Sequence, residues 1–163
     1  MEKQQIERQF ERDINEHELL ILKVCRIYAR TEADQQDLFQ EIVIQLWKAY
    51  PKFKGQSKFS TFLYRIAIYT AITGLRKQKD IIDTYEPGNL PHHSDDSSNA
   101  DEERLSQLYT AIARLNEVEK AVVMLYMEDK TYKEMEEILG VTEGALRVKM
   151  NRIKEKLREL TKN

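Results

Sequence analysis

Glycine and proline are scarce in this sequence, with 5 and 3 residues among 163. Both residues interrupt helices and supply the turns of β-rich folds, so their scarcity favours long helices over a sheet. Charged residues make up 33% of the chain and hydrophobic residues 41%, which is typical of a helical protein with an extensive charged surface. The length accommodates one ordinary domain or two small ones. The composition therefore predicts an all-α protein.

Cysteine is nearly absent, and this excludes an intramolecular disulfide. The single residue, Cys25, follows an apolar run in which a buried thiol is the ordinary outcome, and it fits a reducing cytoplasm. The longest apolar runs are too short to span a bilayer. The polar residues 1–8 do not resemble a signal peptide. We therefore expect a cytoplasmic protein without direct membrane insertion.

Acidic residues are missing from residues 42–79, although the whole chain has a net charge of −2. Eight basic residues occupy the same stretch: Lys48, Lys52, Lys54, Lys58, Arg65, Arg76, Lys77 and Lys79. A second basic patch, with seven Lys or Arg against two Glu, covers residues 147–162. A charged helix face is usually just solvated, but phosphate binding is the simplest cause of a long segment stripped of acids.

Residues 80–100 differ from both basic segments, because they contain acidic residues, two prolines and a glycine but no Lys or Arg. Their apolar content is low and shows no periodicity, so we interpret them as a flexible acidic linker. The pair His92–His93 could indicate a metal site. Since nothing nearby supplies a further ligand, we expect no metal.

The first predicted unit, residues 1–79, consists of three or four helices. Apolar spacing predicts one helix over residues 4–30 and a second that begins near Thr31 or Asp34 and stops at Pro51. A loop over residues 51–58 follows, and a third helix runs from Phe59 or Ser60 to Arg76. We expect Phe62 to be buried in this unit.

The second predicted unit, residues 101–163, has four helices. Leu105, Leu108, Ile112 and Leu115 lie on one helix face. Asn116 and Glu119 form a capping-box pattern at the start of the next helix. Thr131 begins a short helix up to Leu139, and Thr142 can cap the last helix.

The end of this unit has the pattern of a helix-turn-helix. Gly140 stands where a helix end needs a left-handed residue, and the last helix buries an apolar stripe: Leu146, Met150, Ile153, Leu157 and Leu160. A short helix, a tight turn and a basic amphipathic helix form the DNA-reading motif. The alternatives are a plain helical hairpin with a charged face and a coiled coil, for which the apolar repeat is short.

These segments resemble a known family. Residues 114–120, 131–135 and 140–147 resemble region 4 of sigma-70 factors, most closely the extracytoplasmic-function (ECF) group. Residues 37–47 with Phe53, and residues 59–67, resemble region 2 of the same family. The resemblance covers nearly the whole chain apart from the linker. It implies a sigma factor that binds core RNA polymerase, recognises promoters, helps to melt DNA and starts transcription at a subset of genes.

The resemblance implies roles for the first unit. Five residues would dock on the β′ clamp helices of the polymerase: Asp37, Gln40, Glu41, Gln45 and Trp47, the last of which could instead be a core residue. Nine would engage the minus-10 element, where aromatic stacking captures unpaired bases: Phe53, Lys54, Gly55, Gln56, Lys58, Phe59, Arg65, Tyr69 and Arg76. Tyr69 and Thr73 depart from the family, many members of which have Asn and Asp there.

In the second unit the resemblance implies that five residues recognise the minus-35 element: Gly144, Arg147, Lys149, Asn151 and Arg152. Arginine can bond the guanine edge or a phosphate. The implied partners are core polymerase, through the β′ clamp helices and the β flap, promoter DNA and an anti-sigma factor. The acidic linker would either follow the polymerase's RNA path or act as a simple tether.

Other function classes fit the sequence less well. A dimeric helix-turn-helix regulator would not need the polar stripe of residues 37–47 or the acid-free segment. An enzyme acting on nucleic acid would need clustered carboxylates or a glycine-rich phosphate loop, and neither is present. A helical adaptor would treat the basic patches as solvated surface. We expect no catalytic residue, no cofactor and no small-molecule substrate.

Overall fold

The structure is a computed structural model that describes residues 2–81 and 100–162, with the backbone alone for residues 75–81. Contacts divide the chain into two compact units, Met1–Glu86 and Pro87–Asn163. Within the described ranges every regular element is helical, as expected for an all-α protein. None of the helices described there is long and apolar enough to cross a membrane.

The first unit contains four α-helices: α1 (Glu2–Glu16), α2 (Glu18–Tyr28), α3 (Glu32–Ala49) and α4 (Phe59–Ile81). A 3₁₀ helix, Tyr50–Lys52, follows α3 where Pro51 cannot continue an α-helix. The prediction of one helix over residues 4–30 is wrong, because the chain breaks at His17. Its side-chain Nδ1 lies 2.8 Å from the carbonyl oxygen of Asp13, so the break satisfies its own polar groups.

Helix ends in this unit follow local side-chain chemistry. Thr31 caps α3, since its hydroxyl accepts a hydrogen bond of 3.0 Å from the amide of Asp34. Helix α4 continues beyond the predicted end at Arg76 and includes the first two positions of the predicted linker. Ala100 already belongs to the next helix. The rest of that linker, with His92 and His93, lies outside the described residues.

Helices α2, α3 and α4 pack against one another around the core of the first unit. Its fully buried apolar side chains include Ile21, Val24, Ile42, Leu46, Leu63 and Ala67. Cys25 is buried among them, as predicted. Burial raises the pKa of its thiol to about 11, so the thiol stays protonated and unreactive at neutral pH.

Several apolar side chains lie outside this core, contrary to the expected pattern. Leu19 and Leu22 on α2 are exposed, and so is Ile44 on α3, with 46% of its surface accessible. Phe62 is half-buried rather than buried. Burial of apolar residues is a one-way rule, because much of any protein surface is apolar.

The second unit contains α5 (Ala100–Ala113), α6 (Glu117–Met127), α7 (Tyr132–Leu139) and α8 (Glu143–Leu160). The predicted capping box at Asn116 and Glu119 is present, with hydrogen bonds of 2.8 and 3.0 Å. Helix α8 packs against the other three helices. Its residues Leu146, Met150 and Ile153 are fully buried, so the predicted inner stripe is confirmed and serves the core of its own unit.

Candidate nucleic-acid interface

The turn between α7 and α8 has the geometry of a tight helix-turn-helix. Gly140 ends α7 with φ of +72°, and its amide donates to the carbonyl oxygen of Glu136 at 2.8 Å. A left-handed backbone of this kind favours glycine. Two residues later the hydroxyl of Thr142 accepts a hydrogen bond of 3.3 Å from the amide of Ala145. Both ends of the turn are therefore fixed by the predicted residues.

Helix α7 also has a fixed beginning. The hydroxyl of Thr131 accepts a 3.1 Å hydrogen bond from the amide of Glu134, whose carboxylate accepts a 3.2 Å bond from the amide of Thr131. This reciprocal pair is a capping box. Helix α7 thus has a defined start and a defined end.

The five predicted minus-35 residues all lie on α8, but they do not share one face. Gly144, Arg147 and Asn151 are exposed and follow helical spacing on the outer face. Arg152 is exposed about 140° around the helix from Arg147, at 100° per residue. Lys149 is half-buried at the border of the inner face, where its charge acts on Glu119.

Val148 lies at the centre of the outer face, and sequence reasoning missed it. Its side chain is 50% exposed, although it is a branched apolar residue on an otherwise polar surface. The spacing Gly144, Arg147, Val148, Asn151 could have identified it, since these positions form one face of a helix. Attention to charged residues alone hid it.

Two cations of α8 lie over tyrosine rings. The guanidinium carbon of Arg147 is 5.2 Å from the ring centroid of Tyr132 on α7, and Nζ of Lys154 is 4.8 Å from that of Tyr126 on α6. Such cation–π contacts are worth about 0.5–1 kcal/mol at exposed sites. Tyr132 thus orients Arg147 before any ligand is present.

A carboxylate holds α8 against α6. Glu119, only 8% exposed, accepts hydrogen bonds of 2.9 and 3.1 Å from Nζ of Lys156. Burial by itself would raise the pKa of Glu119. The Asn116 amide, together with Lys156 and the charge of Lys149, outweighs burial and lowers the pKa. Glu119 is therefore charged at neutral pH and ties the capped start of α6 to α8.

In the first unit, two predicted minus-10 aromatics belong to a ring cluster. Phe53 lies 5.7 Å from Phe59 and 4.8 Å from Phe62 between ring centroids. Phe59 also contacts His17 at 5.0 Å. Both Phe53 and Phe59 are half-buried, so each has a packing role beside any role in binding.

The polar residues of the same loop are exposed. Lys54, Gly55, Gln56 and Lys58 surround the ring cluster at the surface, and Gly55 has φ of +73°, a turn conformation that few other residues adopt. The loop therefore places cations beside aromatic edges. This is the combination that binds unpaired bases, because stacking and phosphate attraction act together.

The predicted residues of α4 share one helix face. Arg65 and Tyr69 are exposed one turn apart, and Tyr69 is 71% accessible. Arg76 occupies a backbone position on the same face, given helical spacing. Thr73, the second departure from the family pattern, is half-buried beside it.

The predicted polymerase-docking residues lie along α3. Asp37, Gln40 and Glu41 are exposed on one face, with Ile44 completing the helical spacing. Gln45 is half-buried on one flank and donates a 2.9 Å hydrogen bond to Glu41. Sequence reasoning had assigned Ile44 to the apolar pattern, so it missed an exposed apolar residue at the centre of this stripe.

Trp47 lies on the opposite flank of α3 and serves both of its alternatives. Its ring meets Phe10 of α1 edge-on at 5.0 Å, yet 37% of the residue stays exposed. Tyr50 fastens the same helices, because its hydroxyl donates a 2.7 Å hydrogen bond to Asp13. Burial first, and then Asp13, raises the pKa of Tyr50 to about 12.

Metal-ligating clusters were sought in the same residues. In the part of the chain that the structure describes, no group of three His, Cys, Asp or Glu side chains could hold a metal ion. The chemistry of these surfaces is therefore that of cations, aromatic rings and amides.

Family models match both units. The model for sigma-70 region 2 matches residues 14–81, and the model for sigma-70 region 4 matches residues 105–157. The two matches contain the α3 stripe, the ring cluster and the exposed face of α4 in the first unit, and the whole helix-turn-helix in the second.

Individual relatives agree with these models. An ECF RNA polymerase sigma factor SigG of Mycobacterium tuberculosis is 44% identical over 46 residues, which are 28% of this chain and only 12% of that protein. The ECF RNA polymerase sigma-E factor of Haemophilus influenzae is 29% identical over 138 residues, covering 75% of this chain and 71% of the relative.

A solved structure shares the fold. The sigma factor RpoE of Bartonella quintana, in complex with the anti-sigma factor NepR, superposes with a TM-score of 0.70 at 19% identity. The superposition covers 92% of this chain and 97% of that one. At this identity the likeness describes the fold.

Proposed function

Because this chain belongs to the sigma-70 family of RNA polymerase sigma factors, in the ECF group, we propose that it confers promoter specificity on core RNA polymerase. It binds the core enzyme, recognises promoters through both units, helps to melt the DNA and so directs transcription initiation at a subset of genes. It performs no covalent chemistry and uses no cofactor, metal or small-molecule substrate. It acts in the cytoplasm.

One observation supports this proposal most strongly. The chain carries two different candidate surfaces for DNA, and each is of the kind its family region requires. Helix α8 presents exposed arginines and amides for a double helix. The loop before α4 presents lysines beside aromatic edges, which suit unpaired bases. A regulator that binds only duplex DNA has no need of the second surface.

The second unit, residues 101–163, would bind the minus-35 element. In this proposal Gly144 lets α8 approach the bases closely, since an added Cβ there would meet nothing within 4 Å. Arg147, Asn151 and Arg152 contact base edges and phosphates. Lys149, being half-buried, contributes its charge from the border of the interface.

The first unit, residues 1–79, would bind the minus-10 element and the polymerase. Phe53, Lys54, Gly55, Gln56, Lys58 and Phe59 would form the pocket for a flipped base, and Arg65, Tyr69 and Arg76 would continue that surface along α4. The face of Asp37, Gln40 and Glu41, flanked by Gln45 and Trp47, would dock on the β′ clamp helices.

The remaining partners follow from the same assignment. The second unit would also contact the β flap, and residues 80–100 would join the units as an acidic linker. RpoE of B. quintana binds an anti-sigma factor. We propose that a partner of this class holds the present chain inactive until it is released.

Run-off transcription with purified core polymerase tests the proposal. A pool of promoter fragments from the source genome is transcribed with core enzyme alone, with the full chain added, and with a variant carrying Arg147→Ala and Arg152→Ala. Initiation at a defined subset of fragments only with the wild-type chain is expected. No added transcription, together with no co-elution with core enzyme, would overturn the proposal.

A further inference from the structure

We propose that Val148 recognises the methyl group of a thymine in the upstream promoter element, and that it thereby sets one base preference of this chain. The inference rests on the proposed function, because it requires α8 to enter the major groove of DNA. It adds a specificity-determining contact to that function.

The location of Val148 carries the first part of the argument. On the outer face of α8, Gly144 lies four residues before it, and Asn151 and Arg152 lie three and four residues after it. These neighbours are polar or lack a side chain, so Val148 stands alone as an apolar group. The buried stripe of α8 is nearly opposite, because Leu146 lies about 200° around the helix at 100° per residue.

The direction of the side chain carries the second part. Side chains of an α-helix lean toward its N-terminus, so the methyl groups of Val148 cover the turn that contains Gly144. That turn is open, because a Cβ at Gly144 would meet no atom within 4 Å. The first turns of a recognition helix are the part that contacts base edges. Val148 is therefore directed toward the bases with nothing in front of it.

The chemistry of the major groove completes the argument. Each base pair presents a pattern of donors and acceptors there, and the C5 methyl of thymine is the apolar group among them. Valine can neither donate nor accept a hydrogen bond through its side chain. When it is pressed against a base edge, it favours thymine because the other edges would lose hydrogen bonds to water.

Deoxyuridine gives a direct test, since it differs from thymine by that methyl alone. Binding sites are first selected from random DNA by the full chain on core polymerase, and each thymine of the upstream element is then replaced by deoxyuridine. The wild-type chain should lose roughly fourfold in affinity at one position, the factor for burying one methyl-sized group. The Val148→Ser variant should bind both duplexes equally.

A matched variant guards against general effects. Val118 on α6 is also exposed, away from the recognition helix, so Val118→Ser makes the same chemical change in the same unit. It should retain the fourfold preference at the same position.

The outcomes separate this inference from the proposed function. Selective binding that no deoxyuridine alters would overturn the role of Val148 and leave the sigma function intact, as would a thymine preference that persists in Val148→Ser. Failure to select any sequence would overturn the proposed function and this inference with it. A variant of Val148 that loses polymerase binding instead would assign the residue to a protein partner.

Discussion

The two units arrange their candidate DNA surfaces differently. In the second unit, α8 separates its tasks around the helix: Leu146, Met150 and Ile153 are buried, whereas Arg147 and Asn151 on the other side are exposed. The binding residues are not the residues that hold the unit together. Such a surface can change its side chains at little cost in folding.

The first unit does not separate these tasks. Phe53 and Phe59 belong to the predicted minus-10 pocket, yet they pack against each other and against Phe62. Trp47 likewise combines an exposed edge with a ring contact to Phe10. The comparison teaches that binding and stability should be separable in the second unit and coupled in the first.

The largest effect should come from replacing the exposed arginines of α8. Arg147→Ala with Arg152→Ala removes two contacts of about 1–3 kcal/mol each, so promoter binding by the holoenzyme should fall roughly 100-fold or more. The free energy of unfolding should change by less than about 0.5 kcal/mol. Gel-shift titration and urea denaturation measure the two quantities.

A control with the same loss of charge is Arg158→Ala with Lys162→Ala, beyond the outer face of the first turns of α8. It should lower affinity far less. A double variant of Arg147 and Arg152 that unfolds at a clearly lower urea concentration would break the proposed separation of binding from stability.

The next largest effect should be on the stability of the first unit. Phe59→Ala should lower its free energy of unfolding by about 3 kcal/mol, the low end for phenylalanine truncation, because the ring is only half-buried. Urea denaturation followed by fluorescence of Trp47, the single tryptophan, reports on this unit. Lys58→Ala, an exposed neighbour, should leave the midpoint unchanged, and an equal midpoint for Phe59→Ala would refute the coupling.

A smaller effect is expected where the second unit does rely on a polar contact. Glu119→Gln keeps an amide oxygen for the capping box but loses the charge opposite Lys156, which should cost about 1–2 kcal/mol. Hydrogen exchange of the α6 and α8 amides measures this loss. Glu155→Gln, an exposed carboxylate on α8, is the matched control.

The same pair has a defined pH dependence. The folded state lowers the pKa of Glu119 below its ordinary value of 4.5. Its contribution to stability is therefore complete above that pH and is lost as the pH falls through the folded-state pKa. The difference between wild type and Glu119→Gln should shrink below pH 4.5. A difference that stays constant down to full protonation would contradict the role of the charge.

The smallest effect concerns the orientation of Arg147. Tyr132→Leu removes the ring beneath the guanidinium, which should weaken DNA binding by about 0.5–1 kcal/mol, or roughly two- to fivefold. Tyr132→Phe keeps the ring face and should retain nearly full affinity in the same titration. Equal losses in both variants would assign the effect to the hydroxyl instead.

Features decided by neighbouring residues could be predicted from the sequence. The caps at Asn116, Thr131 and Thr142 and the left-handed Gly140 all appear where expected. Each depends on hydrogen bonds within three or four residues, so the local sequence contains the whole cause.

Features decided by packing could not be predicted in the same way. The break at His17 has neither proline nor glycine, and apolar spacing continues across it. Leu19, Ile44 and Val148 fit apolar patterns but are exposed, because no other helix of their unit covers them. The doubled role of Phe53 and Phe59 also depends on ring contacts between segments that the sequence does not place together.

Helix α7 sets the rotational phase of the helix that follows it. It has eight residues, and both of its ends are fixed, by the capping box at Thr131 and by Gly140. One inserted residue would turn everything beyond it by about 100°, which would aim the arginines of α8 away from the surface they now form. This helix therefore acts as a ruler: substitution of its exposed residues should be tolerated in evolution, whereas a change in its length should be eliminated.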